Sequence, residues 1–569
     1  MQRAGFFCAA TMAIDPPNPP LRRGGFCASK PPLRKGGLGG VGRMPSYPMD
    51  YMDYMDSTML VILDHPQLFL DNLMVEASHD LTKTTHQPSR DPVNPLIRKD
   101  RPWEHVPYFT CSNHVVLRDA RDGIFKCWYE DLIDHSGRTY LVEARQCYAE
   151  SEDGLHWEKP ELDVHEEDGR RTNVVLGGGG GTEHAHSCGV VEDLHPPDES
   201  KRFRAIFSHY PPFEGQIRAA RSPDGIHWRL EEQPVAFGNL GRTMGDASIL
   251  DYDPDSRTFI VTCRHRYQCG PALNPRHPAG PTNPGPRYPH DFAKQNRRRI
   301  WQAESADMVH WSQPHLVLRA DDEEDNIDDG FYAMAQCAYA GIYLGFLSVF
   351  HRTSNRMDVQ LVFSRDRRRW IRANRRQPWL KTGDEGCWDQ GMVAASSAIQ
   401  EVGDELFFFY GGAFCHHDYW IWGPREGMDH PEIADPGLVR FGLGLARLRK
   451  HGFVSFDAGP MREGMLVTRP FLSEGERLVI NARCGANGYV RVEALDARDE
   501  VLADRGREQC DVFTGDDTAH TVTWNGDAAL PVARMEVGGD TMFPWKSQPP
   551  HRKLRFYMKD AELYSFRVV

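Results

Sequence analysis

The chain contains no apolar run approaching the ~20 residues that a helical bilayer crossing requires, so a helical membrane protein is excluded. It has no excess of positive charge. Against 67 Lys and Arg stand 80 Asp and Glu, a formal net charge of −13, and this argues against a nucleic-acid partner, because phosphate binding needs a cationic surface. The 13 cysteines include no Cys-x-x-Cys pair and follow no regular spacing. An odd number cannot all pair within one chain, so buried reduced thiols are the expected state and a zinc site is not. No helical His-x-x-x-His spacing occurs, and neither a metal nor an organic cofactor is expected. A basic stretch, an apolar stretch and a small-residue cleavage site do not follow one another in the order of a secretory signal. A cytoplasmic location is therefore expected. Nothing here sets the oligomeric state.

What is present points to a large β protein. Length, at 569 residues, suits two or three domains, and 40% hydrophobic with 26% charged residues suits a folded soluble chain. With 51 Gly and 40 Pro the chain is rich in turns, and 13 Trp, 19 Tyr and 28 Phe supply aromatic surface. Residues 1–58 stand apart. Pro19-Pro20-Leu21-Arg22-Arg23-Gly24-Gly25 returns as Pro31-Pro32-Leu33-Arg34-Lys35-Gly36-Gly37, and Tyr51-Met52-Asp53 is repeated as Tyr54-Met55-Asp56. Such repeats cannot bury a core, and a disordered extension is expected there.

Internal repetition organises the middle of the chain. Four segments share one pattern: Ser151-Glu152-Asp153-Gly154-Leu155-His156-Trp157, Ser222-Pro223-Asp224-Gly225-Ile226-His227-Trp228, Ser305-Ala306-Asp307-Met308-Val309-His310-Trp311 and Ser364-Arg365-Asp366-Arg367-Arg368-Arg369-Trp370. Ser and Asp side chains cap turn amides, Gly supplies a positive φ, and Trp enters the following strand to pack between sheets. The copies lie roughly 60–80 residues apart, enough for one four-stranded blade with its loops, so the period reads as a β-propeller. Adding a first unit from about Phe109 and a last one in which Leu443 to Leu448 replaces the turn gives five blades over residues 59–462. Leu68-Phe69-Leu70-Asp71 is expected to supply the strand that closes the ring. From residue 463 to 569, short alternating strands such as Tyr489 to Leu495 and Leu554 to Met558 indicate a jelly-roll-like β-sandwich. The fold class is all-β.

Taken together, the five-unit pattern, the Ser-x-Asp-Gly-x-His-Trp turns and the trailing sandwich resemble the five-bladed propeller glycosidases, glycoside hydrolase families 32, 43 and 68 and their relatives. Asn94-Pro95-Leu96-Ile97 followed by Pro102-Trp103-Glu104 is similar to the opening of the propeller mannoside phosphorylases. The resemblance, over about residues 66–569, implies a funnel-shaped site at the propeller axis with carboxylates on the innermost strands.

Acids stand just before or within the innermost strand of every blade: Glu104, Glu183, Asp246, Asp329 with its neighbour Asp328, and Asp389. Glycoside hydrolysis needs a protonated acid beside the leaving oxygen and an ionised carboxylate opposite it. Asp246, Asp389, Glu104, Asp329 and Glu183 are accordingly the expected acid/base set, with Asp246 and Asp389 foremost. His184, His186, Arg264, Tyr332, His351, Trp388 and His416 flank them and are expected to hold sugar hydroxyls and ring faces. The Pro- and Gly-rich insertions Gly270 to Pro289 and Trp420 to Pro436 are expected to rim the site and narrow it to chain-end substrates. The expected function is hydrolysis of a glycosidic bond, with a carbohydrate as the partner. Two alternatives stay open: a phosphorylase, in which Arg264 helps to bind phosphate, and a non-catalytic sugar-binding propeller.

Overall fold

The structure is a computed structural model that describes residues 60–569, apart from 135–141, 178–183, 210–215, 233–234, 239–247, 264–297, 396–398, 418–430, 534–550 and the single positions 322, 327, 352 and 497. The extension expected over residues 1–58 lies outside the described residues. Among the described residues no helix is long and apolar enough to cross a membrane.

Strands dominate, and they pair as successive antiparallel meanders. The first runs His114–Arg118, Phe125–Asp134, Val142–Ser151 and Val174–Leu176, with Val106–Pro107 extending its inner edge. The second is His186–Glu192, Phe203–His209, Gln216–Ser222 and Arg229–Leu230. The third is Ser248–Asp253, Thr258–Cys263 and Ile300–Ser305, edged by His310–Trp311 and His315–Leu318. The fourth is Asp329–Tyr339, Ile342–His351, Arg356–Ser364 and Ile371–Arg372. Among the described residues the fifth contributes Met392–Ala394 and Gln400–Val402, both antiparallel to Glu405–Ala413, and then Phe441–Arg449. The innermost strands are neighbours in space: Leu117, Val191, Asp251, Cys337 and Ile399, at or just past their ends, line one cavity of about 600 Å³. That cavity marks the lower end of the propeller axis. The opposite end, where the innermost strands begin, is the mouth.

The repeated turn does what its residues dictate. Ser151 Oγ accepts from Gly154 N at 2.9 Å, and Asp153 Oδ1 accepts from Leu155 N and His156 N, both at 2.8 Å. The same bonds recur at Ser222/Asp224 and Ser305/Asp307, and the two carboxylate bonds recur at Asp366, where Ser364 Oγ accepts from Asp366 N at 3.3 Å. The residue after Asp takes a left-handed backbone in every copy, Gly154 at φ 76°, Gly225 at 82°, Met308 at 69° and Arg367 at 59°. At Gly225 a side chain is excluded for a second reason: a Cβ there would lie 2.5 Å from the Trp128 ring of the preceding meander. Each turn therefore also docks one meander on the next.

Closure differs from the sequence expectation. Gln67–Leu68 pairs with Phe566 and Ser565 near the C-terminus, not with the propeller. The fourth strand of the last meander is instead supplied by Ser89–Arg90 and Ile97–Arg98, both antiparallel to Phe441–Arg449. Between these two short strands the chain bulges away, and the Asn94 side chain fills the gap in the ladder. Its Nδ2 donates to Leu445 O at 2.8 Å, and its Oδ1 accepts from Leu445 N at 2.8 Å. A side-chain amide has the same donor and acceptor pair as a peptide group, which is why Asn can stand in for one.

The C-terminal sheet curls around its own core. Leu478–Leu495 and Lys553–Val568 pair along most of their length, with register shifts between Asn481 and Ala482 and between Cys484 and Tyr489. The sheet also recruits strands from outside the expected 463–569: Val75–His79 joins Gly464–Thr468, and Leu81–Thr85 joins Val454–Ala458. Strand pairing thus crosses the boundary at 462 drawn from the sequence. Its apolar interior is continuous with that of the propeller. Phe69 packs on Phe456 at 5.1 Å and on Phe566 at 6.3 Å, and Phe453 meets Trp379 and Tyr339 of the propeller, each at 5.9 Å.

Two predictions follow from these contacts. Asn94→Ala orphans the N–H of Leu445, at ~1–3 kcal/mol, while Leu445 O keeps the bond it accepts from Asp91 N at 2.9 Å, and should lower the midpoint of chemical denaturation without changing its slope. A chain ending at residue 462 leaves Phe69 and Phe456 uncovered and should elute as aggregate in size-exclusion chromatography, whereas a monodisperse peak would show that the sheet is dispensable.

Candidate active site

Glu130 and Asp329 are buried carboxylates close to where innermost strands begin, and a third, Asp358, shares a histidine with Asp329. Glu130 lies on the second strand of the first meander and is 0% exposed. Its Oε2 accepts from Asn113 Nδ2 at 2.7 Å and from Ser187 N at 2.8 Å, and its Oε1 faces His186 Nδ1 at 2.7 Å. Asn113 and Ser187 sit where the innermost strands of the first two meanders begin, and Ser112 Oγ meets Ser187 Oγ across that seam at 3.0 Å. Three bonds are too few to fill the ~four lone-pair positions of a carboxylate. Glu130 therefore orients the half-buried His186 and keeps acceptor capacity of its own.

At the fourth meander Asp329 opens the innermost strand, opposite His351 on the next. His351 Nδ1 lies 2.7 Å from Asp329 Oδ1, and Nε2 lies 2.8 Å from Asp358 Oδ2. With both ring nitrogens facing carboxylates, the imidazole must be doubly protonated to satisfy them. Burial alone would lower its pKa, but the bonds to Asp329 and Asp358 outweigh that effect and push it up to about 10. Tyr332, three residues on and only 9% exposed, lies under the Arg298 guanidinium at 4.2 Å and beside His417 at 4.7 Å.

Other expected members of the set are bound elsewhere. Glu104 accepts four hydrogen bonds: from Asp100 N at 2.9 Å, Arg101 N at 3.0 Å, Tyr129 hydroxyl at 2.7 Å and Lys159 Nζ at 2.7 Å. Those four saturate its lone pairs and leave none for a substrate proton. It braces the outer part of the first meander, where Asn173 and Trp103 complete the network. Asp389, 1% exposed, lies on the face of the fifth meander beside the closing segment. Arg90 Nε donates to its Oδ2 at 2.8 Å and the Tyr410 hydroxyl at 3.1 Å. Among the described residues, then, Glu104 and Asp389 are bonded to fixed donors that neutralise a buried carboxylate, and neither shares a partner with Asp329. Asp246, Glu183 and Arg264 lie outside the described residues.

The expected sugar-binding residues also separate. His184 Nδ1 accepts from Ala144 N at 3.1 Å, bridging the first two meanders. His416 is bonded through Nδ1 and its own N–H to Glu432, whose carboxyl is held down at about 2 by those bonds in spite of its burial. Trp388 lies flat on a patch of glycine. A Cβ at Gly412 would come within 2.4 Å of its ring and one at Gly444 within 2.8 Å, so the indole is packed on one side and open on the other. It forms part of the wall of a cavity of about 450 Å³ between the fifth and first meanders. Glu130 stands on a second strand, outside the innermost strands to which the expected acids are confined. The available signal was the pair Glu130-Asp131 inside the apolar strand Phe125–Asp134, since carboxylates in a buried strand need specific partners. Among the described residues no group of three or more His, Cys, Asp or Glu is arranged to hold a metal ion.

No family model matches the chain, and no curated protein does. Among solved structures it is similar to one from the GH130 family of mannoside phosphorylases, at 12% identity and TM-score 0.39 over 64% of this chain and 94% of the other. A glycosyl hydrolase from Bacteroides ovatus is similar at 11% identity and TM-score 0.40, covering 65% and 97%. A thermostable family-43 glycoside hydrolase is similar at 14% identity and TM-score 0.38, covering 61% and 92%.

The His351 cluster has a defined pH signature. Its folded pKa lies above the ordinary histidine value, so its stabilisation is complete below pH ~6.5 and is lost as the pH rises towards 10. The difference in melting temperature between the native chain and His351→Gln should be largest near pH 6 and shrink steadily towards pH 10.

Proposed function

We propose that the meanders are the five blades of one propeller and that the mouth hydrolyses a glycosidic bond, in the cytoplasm, using carboxylates and no cofactor. The observation that carries this reading is the placing of two buried carboxylates at one end of the axis, each beside a histidine that reaches further towards solvent. Hydrolysis of an acetal needs a proton delivered to the leaving oxygen and a carboxylate that takes one from water on the opposite side. Asp329, bonded to a protonated His351, is suited to the second role. The proton donor is assigned to Asp246, in the segment preceding the innermost strand of the third blade. Glu130 holds His186 in the mouth as a donor to sugar hydroxyls.

Phosphorolysis replaces the attacking water with phosphate and otherwise uses the same groups, so an assay separates the two. Release of sugar from a glycan panel should proceed in phosphate-free buffer and should not yield a sugar phosphate when phosphate is added. Asp329→Asn and Asp246→Asn should each lower kcat by ~10²–10⁴-fold. Asp389→Asn, away from the mouth, should retain kcat within about tenfold and instead lower the melting temperature, because the Arg90 ion pair is lost. Equal turnover by Asp329→Asn and the native chain would remove Asp329 from the reaction.

A further inference from the structure

The cavity between the fifth and first blades has a composition at odds with the rest of the molecule. Among the described residues its lining includes four basic side chains, Arg98, Lys99, His105 and Arg440, and no aspartate or glutamate, in a chain whose formal net charge is −13. Arg98 belongs to the closing strand, and Arg440 stands immediately before Phe441–Arg449, so two different segments deliver charge to one space. Among the described residues neither arginine has a carboxylate partner, and both are exposed. His105 is biased towards its charged form, because the bond to Asp131 raises its pKa against the effect of burial. The Lys99 ammonium is anchored on His105 O at 2.8 Å. Trp388 contributes the open side of its indole, and the Phe414 ring lies under the Arg440 guanidinium at 4.5 Å.

We infer that this cavity is a subsite for an acidic sugar, a pyranose ring carrying a carboxylate. The inference rests on the carbohydrate reading of the mouth and names a chemical class within it. A neutral sugar ring needs acceptors as well as donors for its hydroxyls, and the side chains lining this cavity provide cationic donors without a carboxylate. A small inorganic anion needs the charge but has no use for an aromatic wall. A ring with an apolar face and one anionic group matches both halves of the lining: the face rests on Trp388 and the carboxylate is taken by Arg98 and Arg440. The space, about 450 Å³, falls within the ~300–1,000 Å³ range of small-molecule sites. Its wall passes through Val106 and Pro107, and the next residue, Tyr108, donates its N–H to Glu130 O. The subsite thus adjoins the strand that carries Glu130.

The test measures binding, not turnover, so it fails or succeeds independently of the hydrolytic mechanism. Isothermal titration of the full chain with methyl glucuronide, methyl glucoside and inorganic phosphate should show the uronide bound at least about tenfold more tightly than either of the others, and more weakly as salt is raised. The double variant Arg98→Gln, Arg440→Gln should keep the native melting temperature, since both side chains are exposed, and lose at least about tenfold in uronide affinity while its glucoside affinity is unchanged. Trp388→Ala should weaken the uronide without affecting phosphate. Equal affinity for uronide and glucoside, phosphate binding as tight as uronide binding, or an unaltered double variant would each overturn the assignment.

Discussion

Ring closure is the constraint on which the rest of the structure depends. A circle of antiparallel meanders has two ends, and each unpaired end exposes a row of backbone donors and acceptors. Here the fifth meander lacks its own last strand, and residues 89–98 supply it from before the first meander. Asn94 completes that ladder with a side chain at the point where the backbone bulges away. The same segment sends Arg90 inward to Asp389 and holds Arg98 at the edge of the basic cavity. Mechanical closure, neutralisation of a buried acid and the shape of the rim are therefore properties of one stretch of chain.

The buried acids fall into two groups according to the partners they face. Glu104 and Asp389 meet fixed donors: four for Glu104, including a lysine, and for Asp389 a guanidinium and a tyrosine hydroxyl. Such carboxylates cement the joints between strands, and taking their charge from them costs stability. Glu130 and Asp329 instead bond to histidines that are partly exposed, 24% and 25% by side chain. Through these partly exposed rings the two acids stay connected to solvent at the mouth. The same residue type is structural in one environment and reactive in the other because of what it faces.

Several features were legible from local chemistry alone. The Ser-x-Asp turns form the bonds that their side chains dictate, since a capping carboxylate needs only the next few amides. The propeller meanders follow from the alternation between those turns, and the curled C-terminal sheet from its short alternating segments. Less legible were the partners across long sequence separations. Leu68 looked like a closing strand because it is a short apolar run near the start, but a two-residue strand has no local preference for one sheet edge over another. Asp389 looked axial because it precedes an innermost strand, and its true partner, Arg90, lies 299 positions away.

By itself the amino-acid sequence determined the all-β class, the repeating turn and the enrichment of acids ahead of the innermost strands, because each depends on residues within a few positions of one another. Only the tertiary structure decided that Glu104 is a saturated brace, that Glu130 on a second strand belongs with the mouth, and that Arg98, Lys99, His105 and Arg440 share one cavity with Trp388. The reason is physical. Backbone geometry and capping are settled over short spans, whereas the environment of a charge is set by whatever the closed ring brings to within a few ångströms of it.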